Sequence, residues 1–128
     1  MDRVITRSIE GESGIIVITA RGRWSAADVE AHYSALRMLI QPIRDAGEIV
    51  RILSDVRQAE RQTAEIEEQI LREMQRTYAA GDRIAILTAD ADAQVHLRHL
   101  LRHIDVSAFQ SQLPAEMWLA TDTLAKIR

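Results

Sequence analysis

The sequence has no cysteine, few aromatic residues and no concentrated block of positive charge. Without thiols there is no disulfide, thiolate metal site or cysteine nucleophile. Aromatic residues make up 4% and the formal net charge is −3, so we expect no binding of nucleic acid, which needs a positive surface and stacking platforms. No apolar run approaches the ~20 residues that cross a bilayer, and residues 1–3 lead into a strand-like run rather than a signal peptide. We therefore predict a cytoplasmic protein without a transmembrane segment.

Motifs that mark common enzyme and cofactor sites are also missing. The five glycines are scattered, so there is no phosphate-binding loop and no Gly-x-Gly-x-x-Gly for a dinucleotide. There is no Gly-x-Ser-x-Gly elbow and no His-Glu-x-x-His helix. We therefore expect no cofactor and no catalytic activity. A hydrolase that uses Asp55 or Glu67 is the weakest alternative, and a carboxyl group with a strongly raised pKa in a cleft would favour it.

The residues that are present describe a globular domain. Apolar residues make up 47% of the 128 residues and charged residues 27%, and the apolar ones recur with the periods of helices and strands. A chain of this length hides roughly two thirds of the surface that it exposes when unfolded, which is enough for a core. We predict one domain over residues 1–128.

Five short runs rich in β-branched and apolar residues predict strands, at residues 4–9, 15–20, 49–55, 83–88 and 106–109. The first two are separated by a glycine-containing turn, which is typical of a hairpin. The second run is apolar at successive positions, and we expect both of its faces to be covered.

The first helix has the clearest start in the sequence. Ser25 can cap it, with Asp28 three residues later. Trp24 and Val29 occupy the two positions of a hydrophobic staple. Pro42 disfavours a helical residue before it, so we predict that the helix ends or kinks near residue 40.

Three more helices are predicted from their first residues. Thr63 can cap the second helix, and Asp90 or Asp92 can cap the third, whose apolar side continues to Ile104. Pro114 suits the first position of the last helix. The order β-β-α-β-α-β-α-β-α predicts an α/β fold, with a mixed, mostly parallel five-stranded sheet and helices on both faces.

Three pieces of this sequence carry a family resemblance. They are Gly22-Arg23-Trp24-Ser25 at the start of the first helix, Arg51-Ile52-Leu53-Ser54-Asp55 in the third strand, and Phe109 followed by Ala115-Glu116-Met117-Trp118-Leu119. Together with the order of the elements, they resemble the SpoIIAA-like family, which shares the fold of STAS domains such as anti-sigma-factor antagonists. The resemblance spans nearly the whole chain.

The resemblance implies a non-catalytic regulatory or protein-interaction module. Sigma-factor antagonists of this fold carry a phosphorylatable serine in an Asp-Ser-Ser-Gly turn after the corresponding strand. Here the predicted turn, residues 55–61, has no hydroxyl side chain, so we expect no phosphorylation switch in it. Thr63 is the nearest hydroxyl, and its oxygen is expected to cap the following helix.

A candidate binding face follows from the predicted sheet. Ligands of parallel sheets bind at the carboxyl ends of strands, beside helix N-termini. The charged and aromatic residues expected at that edge are Arg21, Arg23, Trp24, Asp55, Arg57, Arg61, Glu67, Asp90 and Asp92. Glu67 is included because it lies in the first turn of its helix yet on the apolar arc. The alternative is that these residues serve as turns, caps and a staple, with Glu67 reaching solvent.

His96, His99 and His103 form a stripe at spacings of three and four residues. Such spacing can present imidazoles to a metal. However, the stripe lies beside the apolar arc, and Arg98 and Arg102 add repulsive charge. We therefore predict solvated histidines and no metal site.

Two functions stay open at this point. The first is the interaction module, and the second is a binder of a small apolar or amphipathic, lipid-like ligand between helices and sheet, as in related lipid-binding folds. A closed core would favour the first, and an internal apolar cavity of a few hundred Å3 would favour the second. The partner and the oligomeric state, a homodimer included, also stay open. In either case we expect the last helix to dock on the core through Trp118.

Overall fold

The computed structural model describes residues 4–120. Their elements follow the predicted order: β1 (Val4–Ile9), β2 (Ile16–Gly22), α1 (Ala26–Asp45), β3 (Arg51–Ala59), α2 (Ala64–Thr77), β4 (Arg83–Leu87), α3 (Ala91–Leu100), β5 (Ser107–Phe109) and α4 (Gln112–Ala120). Within this part of the chain, no helix has the length and hydropathy needed to cross a membrane.

The strands form one sheet in the order β1-β2-β3-β4-β5. β1 pairs antiparallel with β2, and every later neighbour pairs in parallel, so the prediction of a mixed, mostly parallel sheet is confirmed. The three crossovers step in the same direction across the sheet. Right-handed crossovers of this kind place their helices on one face, which is where α1, α2 and α3 lie. α4 covers the other face.

The two faces carry separate apolar clusters, because successive strand residues point to opposite sides. The larger cluster joins the sheet to α1, α2 and α3. Its members include Ile16, Ile18, Ile52, Ile84 and Ile86 of the strands, Val29, Tyr33, Leu36 and Ile40 of α1, Met74 of α2 and the partly buried Leu97 of α3. The smaller cluster joins it to α4 through Leu53, Ala85, Leu87, Ala115 and Leu119.

The start of α1 is as predicted, and its end is not. Ser25 accepts from the backbone N–H of Asp28 and Asp28 accepts from that of Ser25, which completes a capping box. The helix continues through Pro42 to Asp45, so of the two predicted outcomes, an end or a kink near residue 40, the end is wrong. Pro42 and Met38, whose carbonyl would have bonded residue 42, are exposed. The unmade bond therefore lies on the exposed side of α1, and the packing of Ile43 on the core holds the last turn.

Two strand predictions need correction. β2 is not covered on both faces, since Thr19 and Arg21 are exposed while Ile16, Ile18 and Ala20 are buried. β3 does not end at Asp55 but runs to Ala59, so the predicted turn at 55–61 is mostly strand. The pairing of β2 with β3 shifts by one residue between Thr19 and Arg21, which marks a bulge in β3.

The last two helices differ from their predictions in detail. α3 ends at Leu100, and residues 101–104 form a turn instead of helix. Pro114 is the third residue of α4 rather than the first, a position where the missing N–H still leaves no helical bond unmade. α4 docks on the sheet as expected, but Ala115 and Leu119 are its buried residues and Trp118 is only half-buried.

Candidate functional site

An apolar cavity of about 330 Å3 lies between the sheet and the helices α1, α2 and α3, and one side of it is open to solvent. Ile5, Ile18, Val56 and Ile86 form the floor, one from each of the first four strands. The walls come from Val29, His32 and Tyr33 of α1, Glu67, Ile70 and Met74 of α2, and Asp92, Ala93, His96, Leu97, Leu100 and nearby Leu101 at the other side.

The cavity exists because the facing sides of α2 and α3 do not fill the space between them. α2 packs closely on α1, whereas α3 packs on β5. No residue of α3 is fully buried, and its apolar residues Leu97 and Leu100 are half-exposed and line the cavity. Ile70 of α2 is likewise half-exposed. These side chains have the spacing of residues that face a core, but they border the cavity instead of packing against other side chains.

The mouth lies at the carboxyl ends of β2 and β3, where ligands of parallel sheets bind. Gln62 ties its two sides together: its Oε1 accepts from the backbone N–H of Trp24 at 2.8 Å, and its Nε2 donates to the carbonyl of Gly22 at 2.9 Å. The indole N–H of Trp24 donates to the carbonyl of Arg21 at 2.8 Å. These bonds fix the Trp24 ring as one wall of the opening.

A cluster of polar side chains bridges α2 and α3 at the same mouth. Glu67 Oε2 lies 2.7 Å from His96 Nε2 and 3.6 Å from Arg61 Nε. The Glu67 side chain is 18% exposed, so it neither enters the core nor extends freely into water. The contact with His96 spans the gap that the apolar side chains leave open.

His32 is the main polar group deep in the cavity wall. It is 7% exposed, and its Nδ1 lies 3.0 Å from Nη1 of Arg7 on β1. Burial, followed by the positive charge of Arg7, lowers the pKa of His32 from 6.5 to about 4. The imidazole is therefore neutral at pH 7.

The lowered pKa of His32 gives stability a defined pH dependence. In the unfolded chain His32 regains its ordinary pKa, so the unfolded state takes up its proton first as the pH falls. The contribution of neutral His32 is therefore fully present above about pH 6.5 and is lost progressively towards about pH 4. We expect wild type to lose about 2 kcal/mol more stability than His32→Phe protein between about pH 8 and pH 5. Urea denaturation at both pH values measures this difference, and equal losses would contradict it.

Part of the predicted candidate face meets at this cavity. Trp24 and Glu67 line it, and so do Arg61 and Asp92. The expectation that Glu67 points inward from the first turn of its helix is confirmed. The alternative, in which Glu67 reaches only solvent, is wrong, because the carboxylate is paired with His96.

Asp55 and Arg57 lie on the opposite face of the sheet. Leu53 of the same strand packs under α4, and alternation places Asp55 with Leu53 and away from the cavity-lining Ser54 and Val56. Asp55 accepts from both the backbone N–H and the guanidinium of Arg57. Its carboxylate thus satisfies a backbone amide at the bulge, and Arg57 lowers its pKa. This is the opposite of the raised pKa that a general acid needs.

The other three predicted residues are at the surface. Asp90 accepts from the backbone N–H of Ala93 at 2.9 Å and is the N-cap of α3, so the cap interpretation applies to it. Arg21 is exposed on the strand position that faces away from the cavity. Arg23 is exposed near the rim, 3.9 Å from Glu60.

The three histidines of the predicted stripe have different surroundings, and only His96 and His99 lie in α3, since His103 is in the turn that follows. His99 and His103 are exposed, as predicted, but His96 is half-buried and paired with Glu67. Within residues 4–120, no group of three or more His, Cys, Asp or Glu side chains is arranged to hold a metal ion.

His32 was missed by the sequence analysis, although a signal for it exists. It follows Val29 by three residues and precedes Leu36 by four, which places it on the buried arc of α1. A polar residue on such an arc needs a partner, and Arg7 provides one from β1. That partner is distant in sequence and could not be identified from helical spacing.

Comparisons with known proteins identify the fold. No protein-family model matches the chain, and no curated protein matches it. A solved structure from Shewanella loihica PV-4, an uncharacterized protein of the DUF3478 family with a SpoIIAA-like fold, superposes with a TM-score of 0.72 at 15% identity. The match covers 93% of this chain and 94% of that one. The chain therefore has a SpoIIAA-like fold, as its sequence resemblance implies.

Proposed function

We propose that this domain binds a small apolar or amphipathic molecule in the cavity between α1, α2, α3 and the sheet, without catalysing a reaction. The observation that supports this most is the set of half-exposed apolar residues that line an open space at the carboxyl ends of the strands. The resemblance alone favours a protein-interaction module. Such a module needs no internal cavity. The cavity is therefore the reason to rank ligand binding above protein interaction.

The size and lining of the cavity fit a small ligand. Ligand pockets typically hold about 300–1,000 Å3 and are lined mainly by apolar side chains with a few polar groups. At about 330 Å3 this cavity lies near the lower limit. Since a water molecule occupies about 30 Å3 of the liquid, there is room for roughly eleven atoms of that size. We infer a ligand of about that many non-hydrogen atoms rather than a whole phospholipid.

The sequence predicts neither a phosphorylation switch nor a catalytic reaction, and the proposal includes both predictions. The segment 55–59, which corresponds to the phosphorylated turn of sigma-factor antagonists, is strand. Thr63 Oγ1 accepts from the backbone N–H of Ile66 at 3.2 Å and so acts as a cap. We propose that neither phosphorylation in this segment nor hydrolysis by Asp55 is part of the function.

A cavity-filling substitution tests the proposal. Ala93 lines the cavity and Val95, two residues along α3, is 65% exposed on the outer side. We expect Ala93→Trp to weaken the binding of pentylbenzene at least tenfold, because the indole occupies the space that the ligand needs. Val95→Trp adds a similar group to the same helix and is expected to leave the Kd unchanged.

Isothermal titration calorimetry of the three proteins measures these Kd values. Native mass spectrometry of protein purified from its own host would show a co-purifying small molecule directly. If wild type binds no apolar probe, or if Ala93→Trp binds pentylbenzene as tightly as Val95→Trp, the cavity is not a ligand site.

A further inference from the structure

The tautomer of His32 is fixed by its contact with Arg7. A guanidinium has donors only, so at 3.0 Å the Arg7 Nη1 must donate and the His32 Nδ1 must accept. The imidazole proton of neutral His32 therefore lies on Nε2. No acceptor among residues 4–120 takes this N–H, although His32 is 7% exposed and lines the cavity. Nε2 is not among the described buried side-chain atoms that lack a partner, so it is accessible, and a molecule in the cavity that His32 lines can accept from it.

The charges at the mouth disfavour an anionic ligand. Three carboxylates, Glu60, Glu67 and Asp92, line the described cavity with one guanidinium, Arg61. Arg61 already lies 3.6 Å from Glu67. In the interior, Arg7 donates to His32 and to the carbonyl of Ile5 at 3.4 Å. Arg7 itself does not line the cavity. An anionic head group would therefore be desolvated beside three carboxylates and one guanidinium that already lies near Glu67.

We propose that the ligand is an uncharged amphipathic molecule whose hydrogen-bond acceptor oxygen takes the Nε2–H of His32. A ketone, aldehyde or ester carbonyl on an apolar body of roughly ten non-hydrogen atoms fits both this donor and the cavity volume. His32 would then act as the specificity-determining residue of the cavity. This inference rests on the proposed function, since it requires that the cavity binds a ligand.

The experiment uses two probes that differ in one group. Valerophenone is a ketone, and pentylbenzene has a methylene where valerophenone has its carbonyl. The Kd of each is measured by calorimetry for wild type and for His32→Phe, a change that removes the donor and keeps a planar ring. The substitution also removes the contact with Arg7, which affects the Kd of both probes in the same way. This effect cancels when the change in Kd for one probe is compared with the change for the other.

We expect His32→Phe to weaken valerophenone about five- to tenfold and to change the Kd of pentylbenzene less than twofold. His32→Gln keeps an amide N–H near the Nε2 position. We expect this variant to bind valerophenone more tightly than His32→Phe does, with little change for pentylbenzene. The phenylalkanoate of matched length is expected to bind wild type at least tenfold more weakly than valerophenone at about pH 7.

The outcomes separate the two proposals. If pentylbenzene binds and His32→Phe weakens the binding of both probes equally, the cavity is a ligand site. His32 then donates no hydrogen bond to the ligand oxygen, and the inference is wrong. Tighter binding of the carboxylate than of the ketone would overturn it as well. If neither probe binds wild type, the proposed function itself fails.

Discussion

Replacing Asp82 with alanine is expected to lower the free energy of unfolding by about 3 kcal/mol, within the range for breaking a buried ion pair. The carboxylate accepts from Nη1 and Nη2 of Arg44, each at 2.8 Å, and from the backbone N–H of Ala79 at 2.8 Å. The Asp82 side chain is 5% exposed and that of Arg44 is 29% exposed. Because water can reach the guanidinium, we expect a value at the lower end of the range.

Asp45→Ala provides a matched control for this effect. Asp45 ends α1 next to Arg44 and is exposed, where it accepts from Gln41 Nε2 at 2.7 Å. The substitution removes the same charge from the same end of the domain, and we expect a change within about 0.5 kcal/mol. Urea denaturation of the two variants at neutral pH compares them. A difference below about 1 kcal/mol would show that the Arg44–Asp82 pair contributes no more than a surface ion pair.

The elements that could be predicted from the sequence are those set by local chemistry. The capping box of Ser25 and Asp28 needs only side chains three residues apart, and the caps Thr63 and Asp90 likewise act within one turn. The order of elements also predicted the mixed, mostly parallel sheet with helices on both faces, but not that α1, α2 and α3 share one face.

The features that could not be predicted depend on residues distant in sequence. α1 passes Pro42 because Ile43 packs on the core and Arg44 reaches Asp82. β3 passes Asp55 because its bulge, held by Asp55 itself, lets the pairing with β2 resume at Gln58. Neither partner is evident from the local pattern. Because β3 extends four residues beyond Asp55, Asp55 and Arg57 lie on a face of the sheet and not at its carboxyl edge, where they were predicted.

The cavity was the hardest feature to anticipate. Leu97, Leu100 and Ile70 have the spacing of residues that pack against a core. The same spacing arises whether the facing side chains fill the gap or leave it open, because periodicity specifies a direction and not a volume. Two polar residues on apolar arcs, Glu67 and His32, are the sequence features that point to this region, since such residues need a partner or open space. The partner of Glu67, His96, lies 29 residues away.

Leu119→Ala is expected to lower the free energy of unfolding by about 2–5 kcal/mol, the range for truncating a fully buried leucine. Leu119 is 0% exposed and packs against Leu53, Ala85 and Leu87 on the sheet face that α4 covers. A domain of this size has only about 5–15 kcal/mol of stability in total. The variant should therefore unfold at a clearly lower urea concentration, or aggregate on expression.

Comparing Trp118→Ala and Met117→Ala with Leu119→Ala shows which side chains of α4 contribute most to the free energy of unfolding. The Trp118 ring is half-buried, with the Arg83 guanidinium 3.9 Å from its centre and the Phe109 ring 5.8 Å away. We expect its truncation to destabilise less than that of Leu119, although the sequence made Trp118 the main anchor. Met117 is 59% exposed, and its truncation should change stability by less than about 0.5 kcal/mol. If urea denaturation gives Leu119→Ala and Met117→Ala the same midpoint, α4 is not docked on the sheet in solution.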